Sequence, residues 1–555
     1  MAAEVIHSNA ADEVWLVPCG PRKDKTTLRT SALHRYFMCQ VAVAARFSAQ
    51  FPVKVVAEEL MLDKAYYTYG LLTALDDKYK DKYDISFVVG SDLLEGIPKW
   101  GGPTGWYLQR EFVVFPRESF PIPTDWTNRK NVRVLGPVDD VPTEDMSQRI
   151  GGDSIGRTTP PQTTLMESNL SSTEVRRRID AARGTLRGTL GHPTFKAEGL
   201  VPSAVLRYIR RYELLRKKRK KTRLTRTAVS PRSGPESWAA ASEEKMKEGS
   251  SKEEGSSKEE RSSKEEKSSK EEKRSKESHA GAASPPSSLQ QRPASPLFDS
   301  AVTEGSIRVG AHVLHLSVHD EIKEEKPLRV AIFGGTFDPI TDGHLKMAAE
   351  VIHSGHADVC WIVPCGPRKD KNIRTHILDR LTMAHLAVQS TFSADFPIYV
   401  HAIEYGRKEA LTTPEMMERM ENNYPGYTFK FVIGTDLLGV TTVGELRKWD
   451  LRPRFCGWEE RTKFIVLQRP GYPLSQKWRE TQENVELVVS PVQGGDRVTT
   501  NLSSSEVRLR LHNASDRVGS IGLGVQGLCD LTVINFMERH HLYTSHARDV
   551  ELEME

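Results

Sequence analysis

A glycine pair followed nine residues later by a histidine marks the residues best suited to chemistry. The run reads Gly334-Gly335-Thr336-Phe337-Asp338-Pro339-Ile340-Thr341-Asp342-Gly343-His344. Adjacent glycines let backbone N–H groups approach an anion closely, because no Cβ is in the way. Thr341 can cap a helix whose N-terminus offers unpaired N–H donors and a partial positive charge. His344 would lie in the first turn of that helix, so the spacing predicts a phosphate-binding loop.

The segments around this run predict the elements that position it. Leu328–Phe333 is a β-rich apolar run that ends at the glycine pair, which is typical of a buried strand. Further strands are predicted at 359–364, 397–400, 430–433 and 463–467, and helices at 345–352 and about 375–389. Strands that alternate with helices predict an α/β fold with a doubly wound parallel sheet, whose site lies at the carboxyl ends of the strands.

The chain contains one domain-sized sequence twice. Met1–Ser8 reads MAAEVIHS, and Met347–Ser354 repeats it without a change. Three more pairs of segments match: 14–25 with 360–371, 87–94 with 431–438, and 169–176 with 501–508. The repeat predicts two copies of one domain, which we name copy one (residues 1–215) and copy two (residues 327–545).

The two copies differ at their beginnings. Copy one starts at the equivalent of Met347 and therefore lacks any counterpart of 328–346, the first strand and the glycine loop. We expect catalysis in copy two. Three explanations of copy one remain open: an incomplete N-terminus, which we favour, a decayed domain retained for its contacts with copy two, or a replacement strand from 307–318.

The segment between the copies, residues 216–326, is predicted to be a disordered linker. Residues 216–223 form a basic run, 250–277 repeat a six-residue SSKEE unit, and 280–296 are rich in Ser and Pro. Such a composition buries too little apolar surface to offset the entropy of the chain. The basic run fits either a solvated linker end or a nuclear-import signal.

Composition limits the classes of function. The 555 residues carry a net charge of +4, which does not favour nucleic acid as a partner. Six cysteines without a CxxC pair favour a reducing compartment. No apolar run approaches the ~20 residues that a membrane span needs. We therefore expect an intracellular protein, cytoplasmic or nuclear, without a membrane partner.

Two motifs resemble those of a known superfamily. The loop GGTFDPITDGH resembles the (H/T)xGH motif of the nucleotidylyltransferases, and NLSSSEVR at 501–508 resembles their ISSTxxR motif, with Ser505 in place of Thr. The chain is most similar to the nicotinamide/nicotinate mononucleotide adenylyltransferases, over about 328–543. The resemblance implies a Rossmann-like fold and adenylyl transfer from ATP to a pyridine mononucleotide, which forms NAD or deamido-NAD and pyrophosphate. It also implies Mg²⁺ bound with ATP, no metal ligands from the protein, and a possible homo-oligomer.

The resemblance implies a role for each matching residue. The catalytic residues are His344, Thr341 and Arg508. The ATP-binding residues are Gly334, Gly335, Thr336, Phe337, Gly434, Asp436, Ser503 and Ser504. The substrate-binding residues are Lys369, Lys371, Arg380, Trp449 and Arg469. Plainer interpretations remain: a helix-capping or core histidine, a core tryptophan, a strand-ending turn at Gly434, and a solvated basic loop.

One departure concerns the substrate loop. Copy one contains Tyr66-Tyr67-Thr68-Tyr69, which resembles the family's substrate loop, whereas copy two has Ala410–Pro414 without aromatic residues. The alternatives are an adenylyltransferase for another substrate, such as pantetheine phosphate, a cytidylyltransferase, or a pseudoenzyme that serves as a scaffold. The LSSSEVR segment argues against a cytidylyltransferase.

Overall fold

The computed structural model describes residues 1–22, 30–60, 62, 65–117, 120–135, 172–185, 197, 200–212, 214–215, 305–309, 312–316, 327–371, 373–438, 446, 449–450, 452–469, 472, 484–488, 502–514 and 524–544. The chain separates into two compact units, residues 1–219 with 328–555 and residues 220–327. Both copies thus belong to one unit. Within the described ranges, no helix has both the length and the apolar character to cross a membrane.

Copy one consists of short strands and helices in alternation. Its helices are α1 (Ala2–His7), α2 (Ala32–Arg46), α3 (Thr68–Tyr79), α4 (Thr124–Thr127), α5 (Ser172–Thr185) and α6 (Ser203–Arg211). Its strands are β1 (Val14–Leu16), β2 (Val53–Val55), β3 (Phe87–Gly90), β4 (Phe112–Phe115) and β5 (Val132–Val134).

The strands of copy one form two separate parallel sheets. β1 pairs with β2, and β3, β4 and β5 form a second sheet in that order. A central first strand would join the two sheets, and the sequence of copy one has none. The division of the sheet therefore falls where the repeat predicts a missing strand.

A hairpin lies in the second unit, inside the segment predicted to be disordered. β6 (Gly305–Val309) pairs antiparallel with β7 (His312–Leu316). These ten residues form paired strands, whereas the sequence predicts disorder for them. The rest of 216–326 lies outside the described residues.

Copy two contains longer elements. Its strands are β8 (Leu328–Gly335), β9 (Val359–Pro364), β10 (Ile398–Val400), β11 (Tyr427–Gly434), β12 (Phe464–Leu467) and β13 (Val485–Val488). Its helices are α7 (Asp342–His353), α8 (Ile377–Thr391), α9 (Thr413–Asn423), α10 (Thr435–Leu438), α11 (Trp458–Arg461), α12 (Ser504–Ala514) and α13 (Leu531–Arg539).

These six strands form one parallel sheet in the order β10-β9-β8-β11-β12-β13. This order, 3-2-1-4-5-6 in chain sequence, is that of doubly wound dinucleotide-binding folds. The parallel α/β fold predicted for copy two is confirmed. β13 and α9 are among the elements that local sequence patterns did not predict, because β13 is a short edge strand and α9 is largely polar.

The two copies share one hydrophobic core. α8 is buried from Ile377 to Gln389 on all its faces, although its sequence predicts an amphipathic helix with one exposed face. The difference arises because α8 packs against its own sheet and also against α2 and α6 of copy one. A helix with two partners has no face left for water.

Candidate functional site

The candidate site lies where β8 and β11 end side by side. The chain leaves β8 toward β9 on one side, whereas β11 lies on the other, which makes this the switch point of the sheet. Glycines end both strands for a steric reason. A Cβ on Gly335 would lie 3.0 Å from the Phe337 ring, and a Cβ on Gly434 would lie 2.3 Å from Asp436 Oδ1.

The glycine loop is fixed by its one buried carboxylate. Phe337 adopts a left-handed φ of 48°, and a cis peptide bond joins Asp338 to Pro339. The Asp338 side chain is 1% exposed. It accepts hydrogen bonds from Arg374 N–H at 2.9 Å, from Thr375 Oγ1 at 2.6 Å and from Tyr543 Oη at 2.7 Å. Three donors occupy this carboxylate, so Asp338 holds the loop in place and is not free to bind a ligand. The sequence analysis gave it no role.

A capping box at the start of α7 sets the tautomer of His344. The backbone N–H of Thr341 donates to His344 Nδ1 over 3.0 Å, and Thr341 Oγ1 lies 2.8 Å from the same nitrogen. An Nδ1 that accepts a hydrogen bond carries no proton, so in the neutral ring the proton is on Nε2. Thr341, only 1% exposed, therefore orients the imidazole rather than contacting a ligand.

Burial keeps His344 neutral. Its ring packs edge-to-face on Phe337 with centroids 5.0 Å apart. Desolvation, and then the charge of Arg469, lowers the pKa of His344 to about 4. At neutral pH this histidine is accordingly an Nε2–H hydrogen-bond donor and not a cation.

The second motif packs directly on the glycine loop. Ser504 Oγ donates to Pro339 O over 2.8 Å, and Arg508 Nη1 donates to Asp338 O. Ser503 Oγ accepts from Glu506 N–H at 3.2 Å near the start of α12. The two motifs, about 160 residues apart in the sequence, thus meet at one place.

Arg469 connects the end of β11 to the second motif. Its Nη1 donates to Asp436 Oδ2 over 2.8 Å, and its backbone N–H donates to Thr435 Oγ1 over 2.9 Å. Its Nη2 lies 3.5 Å from Leu502 O. Asp436 and Arg469, predicted as separate contacts to ATP and substrate, form one ion pair at the switch point.

A cavity of about 740 Å³ opens beside the loop. Its lining includes Gly334–Thr336, Lys369, Lys371 and Trp449. Lys369 is highly exposed and pairs with Glu409 at 2.8 Å. The indole of Trp449 stacks near Trp458, with ring centroids 6.3 Å apart. Of the predicted substrate-binding residues, Lys369, Lys371 and Trp449 line the cavity. His344, Arg508 and Asp436 lie outside its lining.

Arg380 departs from its predicted role. The side chain is 1% exposed, and its guanidinium donates to Thr336 O at 2.7 Å and to Thr375 O at 3.3 Å. The prediction that Arg380 binds a substrate phosphate does not agree with this position, because its donors point to backbone carbonyls beneath the loop. Arg380 supports the loop instead.

Two residues of the cavity escaped the sequence analysis. Arg368 lines the cavity and pairs with Asp370 at 2.6 Å. Glu404 is 2% exposed and accepts from Gly366 N–H at 2.8 Å and Leu411 N–H at 2.9 Å. Burial raises the pKa of Glu404. Glu404 shapes the cavity wall by joining two loops, a role that no local sequence pattern reveals.

Known proteins resemble this part of the chain. Residues 332–510 match the family described as cytidylyltransferase-like. A protein of Oceanobacillus iheyensis named "Probable nicotinate-nucleotide adenylyltransferase" is 30% identical over 215 residues, which cover 39% of this chain and 96% of the relative. The nicotinate-nucleotide adenylyltransferase of Bacillus subtilis is 31% identical over 146 residues, covering 26% of this chain and 71% of the relative.

A solved structure also matches. It is the Plasmodium falciparum nicotinic acid mononucleotide adenylyltransferase complexed with NaAD, at 21% identity and a TM-score of 0.33. The match covers 39% of this chain and 97% of that chain.

Proposed function

Because the chain belongs to the nicotinamide/nicotinate mononucleotide adenylyltransferases, a family of nucleotidyltransferases, we propose that copy two joins ATP to a pyridine mononucleotide. The products are NAD or deamido-NAD and pyrophosphate. The observation that carries the proposal is the meeting of the two motifs at the switch point, with His344 as a neutral Nε2–H donor.

The reaction asks for positioning and charge stabilisation more than for a protein nucleophile. A phosphate oxygen of the mononucleotide attacks the α-phosphorus of ATP in line, and pyrophosphate leaves. His344 Nε2–H and the N-terminus of α7 offer donors to the phosphates, and Arg508 adds a positive charge beside the loop. A neutral His344 supplies its donor without an unpaired buried charge.

The mononucleotide fits the cavity between Gly334 and Trp449. Trp449 presents an aromatic ring for the pyridine, and the nearby Lys371 offers a positive charge for the phosphate. Arg368, which also lines the cavity, offers a second positive charge for the phosphate. Aromatic contact in copy two therefore comes from Trp449, since its substrate loop lacks the tyrosines of copy one.

Mg²⁺ would enter with ATP. Among the described residues, no group of three or more His, Cys, Asp or Glu side chains could hold a metal ion. Asp338, the carboxylate inside the loop, is fully engaged by its three donors. We propose that the ion is held by the phosphates of ATP and by water. Bound there, Mg²⁺ would neutralise charge on the phosphates.

The test is an assay of the full chain with ATP, Mg²⁺ and one acceptor at a time. Nicotinamide mononucleotide, nicotinate mononucleotide and pantetheine phosphate serve as the three acceptors, and dinucleotide and pyrophosphate are both quantified. We expect equal amounts of the two products with at least one pyridine mononucleotide. Turnover with pantetheine phosphate alone would assign another substrate, and no turnover with any acceptor would favour a scaffold.

A further inference from the structure

Two equivalent arginines join copy one to copy two. Arg539, the last residue of α13, donates to Phe47 O at 3.0 Å and Ser48 O at 2.6 Å in copy one. Arg211, the last residue of α6, donates from Nη2 to Phe392 O at 2.9 Å and Ser393 O at 2.7 Å in copy two. Each copy thus contacts the other through an arginine at the equivalent position.

The acceptors are equivalent too. Phe47 ends α2 and Phe392 ends α8, and each is followed by Ser-Ala and, two residues further, by Phe-Pro. The last carbonyls of a helix carry a partial negative charge and have no partner within the helix. Each arginine therefore caps the C-terminus of a helix in the other copy. This reciprocal arrangement is that of a two-fold symmetric dimer built within one chain.

Burial makes these contacts specific. Arg211 is 2% exposed and Arg539 is 5% exposed. A buried guanidinium is costly unless acceptors surround it. Nη1 of Arg211 makes further bonds to Phe396 O at 2.9 Å and Ile398 O at 2.7 Å, whereas its buried Nε has no hydrogen-bond partner among the described residues.

The symmetry ends at the glycine loop, which only copy two has. Segments on both sides of α13 touch that loop. Before the helix, Leu528 O accepts from Asp342 N–H at 2.9 Å, and Cys529 Sγ lies 3.3 Å from Ile340 O. After the helix, Tyr543 Oη donates to Asp338.

Leu215 occupies the same sequence position relative to Arg211 in copy one as Tyr543 occupies relative to Arg539 in copy two. Both residues have a φ of 64°. The two residues thus share a left-handed backbone conformation, and only Tyr543 carries a hydroxyl that reaches the loop.

We propose that copy one is a positioning partner for the glycine loop of copy two. Arg539 anchors α13 to copy one, and the segments that flank α13 hold the loop through Leu528, Cys529 and Tyr543. Copy one thereby contributes to turnover without contacting substrate. The predicted effect on turnover rests on the proposed function, whereas the predicted effect on the position of the loop does not.

The kinetic test compares two interface variants of the full chain. Arg539→Ala should lower kcat about tenfold and leave the KM for ATP and mononucleotide within about twofold, because the loop loses its pose rather than its ligands. Arg539→Lys should recover part of the loss. Arg210→Ala is the matched control, since Arg210 also crosses the interface, to Asp395, yet has no link to the loop. Equal kcat values for Arg539→Ala and Arg210→Ala would overturn the proposal.

A double-mutant cycle tests the connection itself. Tyr543→Phe removes only the hydroxyl that binds Asp338. If Arg539 and Tyr543 act along one path, the double variant should lose no more kcat than the more damaging single variant. Multiplicative losses would contradict a shared path. Should Arg539→Ala fail to fold, Arg539→Lys takes its place in the cycle.

Hydrogen exchange supplies a readout that does not need turnover. The Arg374 amide, which donates to Asp338, should exchange faster in Arg539→Ala than in wild type and in Arg210→Ala. Unchanged exchange there would overturn the inference even if the enzyme is active. A wild-type chain that turns over neither mononucleotide would instead overturn the proposed function and leave the exchange result to decide this one.

Discussion

Copy one and copy two build the same turn at the end of equivalent strands, yet only copy two has the loop that faces it. In copy one, Gly90 ends β3, and Asp92 pairs with Arg117 at 2.9 Å. In copy two, Gly434 ends β11, and Asp436 pairs with Arg469 at 2.8 Å. A Cβ on Gly90 would lie 2.4 Å from Asp92 Oδ1, almost as on Gly434.

A second contact is shared. Glu59 of copy one is 2% exposed and accepts from Gly20 N–H at 2.7 Å and Tyr66 N–H at 3.1 Å, as Glu404 does in copy two. These turns depend on residues near them in space, all of which copy one retains. The phosphate site depends on β8 and its loop. The described residues of copy one thus form the same turns as copy two without a strand equivalent to β8 beside them.

The largest effect should come from the residue that has no counterpart in copy one. His344→Ala removes the Nε2–H donor and should lower kcat about 10³-fold, as the loss of one preorganised donor does elsewhere. His353→Ala, in the last turn of the same helix and partly exposed, should change kcat less than twofold. Both are measured as pyrophosphate release. Similar activity in the two variants would remove catalysis from the glycine loop.

The two interface arginines should differ in stability. Arg211→Ala removes the buried guanidinium that donates to Phe396 O and Ile398 O, so it should lower the free energy of unfolding by about 3 kcal/mol. Arg539→Ala loses fewer bonds and should cost about half as much. Urea unfolding of the full chain measures both. The reverse order would break the assignment of Arg211 as the stronger anchor.

Two equivalent aspartates, Asp436 in copy two and Asp92 in copy one, allow the contributions of the two turns to activity to be compared. Asp436→Ala should lower kcat/KM about 30-fold, since it frees Arg469 beside His344 at the switch point. Asp92→Ala breaks the same ion pair in copy one and should leave kcat/KM within about twofold. A comparable loss in both variants would show that copy one takes part in the reaction at its own turn.

The smallest effect is on the pH dependence of stability, and it concerns His401, whose equivalent in copy one is Val56. His401 stacks on Trp361 and bonds Tyr424, and burial lowers its pKa to about 3. Below the unfolded-state pKa of about 6.5 the unfolded chain binds a proton that the native chain does not, so stability falls as the pH falls. His401→Val should make the loss of stability between pH 6 and pH 4 shallower by about 1 kcal/mol per pH unit. Urea midpoints across this range measure it, and an unchanged slope would contradict the prediction.

Local patterns were sufficient for much of the fold. The apolar run before Gly334 and the alternation of strands and helices predicted β8, β9 and the parallel sheet. The motif around His344 was legible because its glycines, cap and histidine are within eleven residues of one another. Arg380 was misassigned, because a basic residue after a basic loop gives no sign that its side chain is buried beneath Thr336.

Residue order alone shows that this chain contains the domain sequence twice and the glycine loop once. The fold is needed to show that Asp338 is held by Arg374, Thr375 and Tyr543, and that Arg211 and Arg539 cross between the copies. Those contacts join residues about 36 to 492 positions apart. Their partners are backbone N–H and C=O groups and single hydroxyls, which occur throughout a chain, so residue types alone do not select among them.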